Sequence, residues 1–98
     1  MNLRKLARGR DCQVRLENVC CGDPETTVLA HIRIIGISGM GLKAPDVLGA
    51  HCCAACHSAA DTGQYNGQKF EREYVELQFL RGVMRTIALL IKDGAING

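Results

Sequence analysis

Four potential metal ligands lie within nine residues near the middle of this chain, and this cluster limits the possible folds more than any other feature. Cys53 and Cys56 form a Cys-x-x-Cys pair, in which a short loop turns two sulfurs toward one ion about 2.3 Å away. His57 and Asp61 are spaced i and i+4, so a helix that begins at the cysteine pair would place both side chains on one face. The segment therefore predicts two sites, a structural one at the thiols and a chemical one at the imidazole and carboxylate.

The length of the chain allows one domain. Its 98 residues contain two Phe, two Tyr and no Trp, so the core must consist mainly of aliphatic side chains. A structural metal would help to stabilise so small a core. We expect a single domain over residues 1–98, with a basic arm at 1–10, a metal-binding core at 11–62 and a C-terminal helix at 70–92.

The first residues and the six cysteines indicate the compartment. Charge begins at Arg4, no apolar run resembles a secretory signal, and no segment approaches the length of a membrane span. We therefore expect a cytoplasmic protein with no membrane partner. In that reducing environment cysteines bind metals more often than they form disulfides, although a secreted disulfide scaffold is the alternative.

Four thiolates from two distant parts of the chain would form a closed tetrahedral zinc site. The predicted ligands are Cys12, Cys20, Cys53 and Cys56. Only the second pair has a standard spacing, and Cys21 and Cys52 are adjacent competitors. Two other interpretations are a redox-active Cys-x-x-Cys, which would need a thioredoxin-like context not visible here, and plain buried cysteines.

Two segments before the glycine-rich centre carry candidate site residues. Residues 11–24 end in turn-forming residues and indicate a small hairpin or loop that bears the first cysteines. Residues 26–35 are rich in β-branched side chains and predict a strand, whose alternation brings His31 and Arg33 to one face. The other face is apolar and consists of Val28, Ala30, Ile32 and Ile34. A histidine beside an arginine is what a phosphate-handling surface would need.

The centre of the chain predicts a loop, a strand and a helix in that order. Residues 36–45 contain three glycines and a proline, without the spacing of a dinucleotide-binding fingerprint. Residues 47–51 predict a second strand, which leads into the cysteine pair and a helix to about residue 62. His51 has no partner in sequence and is treated as incidental. The pair Asn66-Gly67 then breaks the pattern.

Apolar residues recur every three to four positions from 70 to 92, which predicts a long helix. These residues are Phe70, Tyr74, Leu77, Leu80, Met84, Ile87 and Ile91. Gly94 marks the end of the helix, and Lys92 lies near its negative dipole end. We expect this stripe to pack on the core and to support a homodimer through the helix.

Positive charge is concentrated at the start of the chain, although the net charge is only +2. The basic residues concerned are Arg4, Lys5, Arg8, Arg10 and Arg15. No acidic residue interrupts the first four, so the arm is a candidate contact for nucleic-acid phosphates. A solvated, frayed terminus is the alternative interpretation.

A strand histidine, a later Asp and a histidine directly after a Cys-x-x-Cys pair resemble the HNH, or ββα-metal (His-Me finger), nucleases. The residues that carry this resemblance are Leu29-Ala30-His31-Ile32-Arg33, Pro45-Asp46 and Cys53-x-x-Cys56-His57. More narrowly, residues 3–61 are similar to the YbcO-like nucleases of lambdoid prophages. The shared strings are Arg4-Lys5-x-Ala7-Arg8-Gly9-Arg10-x-Cys12-Gln13-Val14-Arg15, Pro24-Glu25-Thr26-Thr27-Val28-Leu29-Ala30-His31 and Ala55-Cys56-His57.

The resemblance implies an α+β, zinc-stapled ββα-metal domain, treble-clef-like, with a long C-terminal helix. It also implies a phosphodiester hydrolase, namely a metal-dependent DNA endonuclease of phage or prophage origin. His31 would be the general base that activates water, and Arg33 would clamp the phosphate. His57, Asp61 and Asp46 would hold one catalytic divalent ion such as Mg²⁺ or Mn²⁺, separate from the structural Zn²⁺.

The chain departs from the common HNH pattern at two positions. Ala30 stands where many of these enzymes carry a metal ligand before the base, and Asp46 replaces the mid-motif Asn. His31 could then be a metal ligand itself, and His57 could be a fourth zinc ligand. The rival function is a non-catalytic zinc module that binds DNA or a protein in phage recombination, and a thiol redox protein is the third.

Overall fold

The computed structural model describes residues 2–31 and 46–96, and within these ranges it contains three α-helices and two small antiparallel sheets. The helices are α1 (Leu3–Ala7), α2 (Ala54–Thr62) and α3 (Arg72–Lys92), and the strands are β1 (Val28–His31), β2 (Gly49–Cys52), β3 (Gln64–Tyr65) and β4 (Gln68–Lys69). Short 3-10 turns at Pro24–Thr26 and Asp46–Leu48 precede β1 and β2. The predicted α+β class with a long C-terminal helix is confirmed.

Strands β1 and β2 pair antiparallel and form the sheet that positions the site. The register runs from Val28 opposite Cys52 to His31 opposite Gly49. A side chain at Gly49 would meet Leu29 Cγ at 2.8 Å, so the close approach of the two strands requires glycine there. The strand predicted at 47–51 is found at 49–52, after the 3-10 turn at 46–48.

The alternation predicted for β1 is only half correct. Ala30 is buried as expected, but Val28, assigned to the same apolar face, is 43% exposed. Leu29, assigned to the opposite face, is buried. Helix α1 packs on β1 while α3 packs on β2, so this short sheet is covered more widely than a one-sided sheet would be. Residues 32–45, which include Arg33 and the predicted glycine loop, lie outside the described residues.

Helix α2 begins at the cysteine pair, as predicted. The Sγ atom of Cys53 caps it by accepting the backbone N–H of Cys56 at 3.4 Å. Gly63, at φ 74°, ends the helix. The chain then forms the β3–β4 hairpin, whose turn residues Asn66 and Gly67 both have positive φ. The Asn-Gly pair was a hairpin signal as well as a helix breaker.

Helix α3 buries a face that overlaps the predicted stripe only in part, because Tyr74 and Ile87 pack against the core while other members do not. Its buried residues are Phe79, Gly82, Val83, Thr86 and Leu90. Four residues of the predicted stripe are exposed, namely Leu77, Leu80, Met84 and Ile91. Both sets follow a three-to-four spacing, because this helix carries two interleaved apolar stripes. Spacing alone therefore could not decide which stripe faces the core.

The loop at residues 11–24 contains no strand and packs between β2 and α3. The backbone N–H of Gln13 donates to His51 O at 2.7 Å, and Arg85 Nη1 donates to Gln13 O at 2.8 Å. A Cβ on Gly82 would lie 2.9 Å from Val14 Cγ2, so the helix can approach the loop this closely only with glycine. These contacts hold the loop, and the first cysteines with it, against the sheet.

The basic arm is folded for part of its length. Asn2 caps α1 by accepting the backbone N–H groups of Arg4 and Lys5, and Ala7 is buried. Arg10 forms an ion pair with Asp93, just after α3. The frayed-terminus alternative is therefore wrong for residues 3–7. Within the described ranges, no helix has the length and hydropathy needed to cross a bilayer.

Candidate active site and metal centre

Four cysteine sulfurs converge in the core, all within 4.8 Å of one another. They belong to Cys12, Cys20, Cys53 and Cys56. A tetrahedral zinc site with Zn–S bonds of about 2.3 Å has sulfur–sulfur edges of about 3.8 Å. The sulfurs of Cys20 and Cys53 lie 3.9 Å apart, which matches that edge. This cluster could hold a metal ion, as the sequence predicted.

The competing cysteines lie outside the cluster for different reasons. Cys21 is exposed and its sulfur lies 3.6 Å from Thr26 Oγ1. Cys52 is fully buried and interacts with the cluster from its side, because its thiol hydrogen-bonds to Cys12. Cys52 is the last residue of β2, whereas Cys53 follows the strand and caps α2, where its sulfur belongs to the cluster. Sequence spacing could not separate these neighbours.

Backbone N–H groups point at three of the four sulfurs. Arg15 N donates to Cys12 Sγ at 3.5 Å, and Leu16 N donates to Cys56 Sγ at 3.4 Å. Together with the cap at Cys53, these bonds supply the outer shell that thiolate ligands of a metal need. Arg15 has φ 54°, and this left-handed backbone lies in the turn that brings its N–H to the sulfur three residues earlier.

Hydrogen bonds among the thiols and their burial shift the pKa values of the cysteines in opposite directions. Hydrogen bonds from Cys52 and then Cys56 hold the pKa of Cys12 far below its ordinary value. The same bonds to Cys12 raise the pKa of Cys52 and Cys56, while burial raises the pKa of Cys20 to about 11. A bound cation would favour the thiolate form of the ligands, so metal binding would release thiol protons.

His31 and Asp46 form a hydrogen-bonded pair at the open end of the β1–β2 sheet. His31 Nε2 lies 2.6 Å from Asp46 Oδ1, and the imidazole is 19% exposed. In the Nε2–H tautomer the ring donates to the carboxylate, and Nδ1 is then the acceptor nitrogen. This hydrogen bond, with the charge of Arg4, lowers the pKa of Asp46 below its usual value.

Arg4 is a site residue that sequence reasoning assigned only to general DNA contact. Helix α1 lies against β1 and brings Arg4 Nε within 3.4 Å of Asp46 Oδ1. Its guanidinium therefore lies beside the histidine–carboxylate pair. No spacing rule links positions 4 and 46, so the signal was absent from the sequence.

His57 and Asp61 share one face of α2, as their i and i+4 spacing predicted. The distance from His57 Nε2 to Asp61 Oδ2 is 3.8 Å, and both side chains are more than a third exposed. Asp46, predicted as their co-ligand, instead contacts His31 and Arg4. In the described ranges, the four-cysteine cluster is the one group of three or more His, Cys, Asp or Glu side chains close enough to hold an ion.

A cavity of about 400 Å³ joins the histidines of the two elements. Its polar residues include His31 from β1 and His57 and Asp61 from α2, so the sheet and the helix open onto one space. The opposite wall comes from α3 and from the residue directly after β4, and it includes Phe70, Phe79 and Val75. Such a concave, mixed surface is the usual form of a ligand site.

The remaining candidate residues have separate environments. Lys5 and Arg8 are exposed on the N-terminal segment. The side chain of Arg15 folds back on its own loop and donates to Cys12 O at 3.2 Å. His51, treated as incidental, is fully buried on β2, and its ring nitrogens have no hydrogen-bond partner among the described residues. Burial lowers its pKa, so it is held neutral.

Comparison with known proteins identifies the family. A family model described as "Putative nuclease YbcO" matches residues 1–95. The chain belongs to the YbcO family. A YbcO protein of Escherichia coli strain K12, also described as "Putative nuclease YbcO", is 44% identical over 96 residues, which cover 98% of this chain and 97% of the relative. A ybcO protein of Enterobacteria phage 82 matches with the same identity and coverage.

A solved structure supports the YbcO fold. It is described as a putative bacteriophage protein from Escherichia coli K-12, and it is 40% identical to this chain. The match has a TM-score of 0.76 and covers 95% of this chain and all of the other. The YbcO family model spans both the cysteine cluster and the histidines of the cavity, so both belong to the family domain.

Proposed function

We propose that this YbcO-family chain is a metal-dependent DNA endonuclease of the HNH, or ββα-metal, type. The observation that carries the proposal is the opening of His31, already paired with Asp46, into the same cavity as His57 and Asp61. The order β1, β2, α2 supports it, and so does the nuclease description of the relatives. The substrate would be a DNA phosphodiester.

In this proposal His31 is the general base. A water molecule in the cavity would give its proton to Nδ1 of His31 as its oxygen attacks the phosphorus. The carboxylate of Asp46 would hold the ring by the 2.6 Å bond and stabilise the positive charge that the imidazole gains. Arg4, whose Nε lies 3.4 Å from that carboxylate, would contact a phosphate oxygen of the substrate.

The catalytic divalent ion is assigned to His57 and Asp61. Two half-exposed ligands 3.8 Å apart fit an ion such as Mg²⁺, which usually takes few protein ligands and completes its shell with water and substrate phosphate. When bound, the ion would supply positive charge to the scissile phosphate and to the leaving 3′ oxygen. Asp46 is reassigned in this proposal from ion ligand to partner of the base.

The four-cysteine cluster is assigned to structural zinc. A closed set of four buried or half-buried thiolates has no position for substrate, which is the mark of a structural site. The ion would join the loop at residues 11–24 to α2, and so fix α2 relative to the sheet that carries His31. The basic residues Arg4, Lys5, Arg8, Arg10 and Arg15 are proposed to contact DNA, and all of them except Arg10 are exposed.

Nicking of a supercoiled plasmid with Mg²⁺ or Mn²⁺ tests the function. We expect the wild type to convert supercoiled into nicked DNA, and EDTA to stop it. His31→Ala should lower the rate by about 10²- to 10⁴-fold, the usual contribution of a general base. Lys92→Ala, a charge change outside the cavity, is the matched control and should leave the rate unchanged.

The rival function is a non-catalytic zinc module, and the same samples separate the two. If no form of DNA is cut with either metal while DNA binding persists, the endonuclease proposal fails. Equal activity of His31→Ala and wild type would also remove His31 from the mechanism, even if cleavage occurs.

A further inference from the structure

The cavity beside the proposed catalytic residues is larger and more apolar than phosphate chemistry requires. Its volume of about 400 Å³ corresponds to about a dozen water molecules. Side chains of Phe70, Val75 and Phe79 line one wall, and Ala60 of α2 contributes to the floor. These groups offer nothing to a phosphate or a hydrated ion, so this part of the cavity fits an apolar, flat ligand.

Phe70 is held in a defined orientation at the edge of this wall. Its ring lies nearly parallel to that of Tyr74, with an interplanar angle of 14° and centroids 6.1 Å apart. Phe70 lines the cavity whereas Tyr74 does not, so Tyr74 supports the ring from outside. A half-buried aromatic ring fixed in this way is a platform on which a base can stack.

Polar groups at the rim complement the apolar wall. Arg72 and Glu76, one turn apart on α3, line the same cavity, with Arg72 Nε 3.3 Å from Glu76 Oε1. A guanidinium and a carboxylate together offer donors and acceptors that match the polar edges of nucleobases. The cavity thus has a stacking surface, polar edge contacts and His57 and Asp61 at one side.

We propose that this cavity binds an unpaired nucleobase of the DNA strand being cut, next to the scissile phosphate. This inference rests on the proposed nuclease function and names its substrate class. A base in an intact duplex is stacked and paired, and cannot enter a side cavity without leaving the helix. The protein therefore prefers single-stranded DNA, or duplexes with unpaired nucleotides, over perfect duplexes.

Binding is measured on the zinc-loaded full chain without added Mg²⁺ or Mn²⁺, so that cleavage does not interfere. Fluorescence anisotropy compares a single strand with the perfect duplex of the same sequence, and 2-aminopurine placed along the single strand reports stacking by quenching. We expect tighter binding of the single strand, with quenching at one position. Phe70→Ala should weaken single-strand binding by about 5- to 150-fold and leave duplex binding within about twofold.

Two controls keep the result interpretable. Phe70→Trp preserves a stacking surface and should retain binding, whereas Tyr65→Ala removes an aromatic ring that does not line the cavity and should have no specific effect. Circular dichroism and zinc content show whether each variant folds. The comparison of single strand with duplex, and the quenching, need no variant at Phe70.

Equal affinity for single strand and duplex, without quenching, would overturn the proposal. So would a Phe70→Ala effect that is the same for both DNA forms in a folded protein. The nuclease function can fail separately. If the protein stacks a base on Phe70 but never cuts DNA, the base site is supported and the endonuclease proposal is rejected. If it cuts duplex DNA without dependence on Phe70, the endonuclease proposal is supported and the base site is rejected.

Discussion

Asp46 accepts a hydrogen bond from His31 across 15 positions of sequence, with Nε2 and Oδ1 2.6 Å apart. His31 is the last residue of β1, and Asp46 begins the 3-10 turn that leads into β2, so pairing of the two strands brings them together. A carboxylate in this position selects the ring tautomer and leaves Nδ1 to act. Asp46 therefore contacts the histidine, whereas the resemblance to HNH nucleases implied that it would bind an ion.

Removing the charge of Asp46 should slow cleavage without abolishing it. Asp46→Asn keeps an oxygen near His31 but cannot balance the charge of a protonated imidazole. We expect a loss of about 10- to 100-fold, which is typical for the partner of a functional histidine, and smaller than the loss for His31→Ala. Plasmid nicking under single-turnover conditions measures it. A rate equal to that of the wild type would show that the pair has no catalytic role.

The same pair predicts a pH dependence of stability. The hydrogen bond from His31 lowers the pKa of Asp46 below 3.8. Such a carboxyl stabilises the fold above its ordinary pKa, and the stabilisation disappears as the pH falls through the lower folded value. Asp46→Asn should therefore melt below the wild type near neutral pH, and the two melting temperatures should converge below pH 3.8. If the difference in melting temperature between wild type and Asp46→Asn stays constant into strong acid, the lowered pKa of Asp46 is not its cause.

Cysteines inside and outside the four-sulfur cluster should respond differently to substitution by serine. Cys53→Ser removes a member of the four-sulfur cluster, and we expect loss of zinc and of cooperative melting, because metal binding and folding are coupled. Cys21→Ser changes an exposed thiol outside the cluster and should keep one zinc per chain. Element analysis by mass spectrometry and thermal melting give both readings. A wild type free of zinc, or a Cys21→Ser variant that loses it, would reject the assignment.

Gly82 should be intolerant of even one methyl group. Alanine would favour the helix by about 1 kcal/mol, but its Cβ would lie 2.9 Å from Val14 Cγ2 and 3.2 Å from Gln13 O. Overpacking of this kind costs about 1–3 kcal/mol, so we expect Gly82→Ala to lower the free energy of unfolding by up to about 2 kcal/mol. Urea titration measures the change, with Ser58→Ala at an exposed position of α2 as the control. Stabilisation by Gly82→Ala would show that α3 can move away from the loop.

Self-association of two copies through α3 stays a prediction. It would require an exposed apolar stripe on this helix, and the helix has one. Leu77, Leu80, Met84 and Ile91, which belong to the predicted stripe, are each at least 40% exposed and follow the spacing of a helix-pairing seam. If two copies pair antiparallel about Met84, Leu77 faces Ile91 of the second copy, so the exposed stripe of each copy would cover that of the other.

Sedimentation equilibrium tests the pairing of two copies. We expect a dimer that Met84→Glu dissociates, whereas Lys69→Glu on the β4 strand leaves it intact. A wild type that is monomeric over the whole concentration range would reject self-association.

Local sequence determined the helix at the cysteine pair and the approach of His57 to Asp61. Both depend on spacing within a few residues, because the period of an α-helix places residues i and i+4 on the same face. Cys53 and Cys56 were assigned to the cluster for the same reason. The resemblance of residues 3–61 to the YbcO-like family was visible from the sequence alone, and the family match confirmed it.

Tertiary structure decided the contacts between distant segments. It joined Asp46 to His31, brought Arg4 beside them, chose Cys20 over Cys21, and turned the less obvious stripe of α3 to the core. Periodicity states which residues share a face, but not what that face meets. That choice depends on which packing buries the most apolar surface and leaves the fewest polar groups without partners, and both are properties of the whole fold.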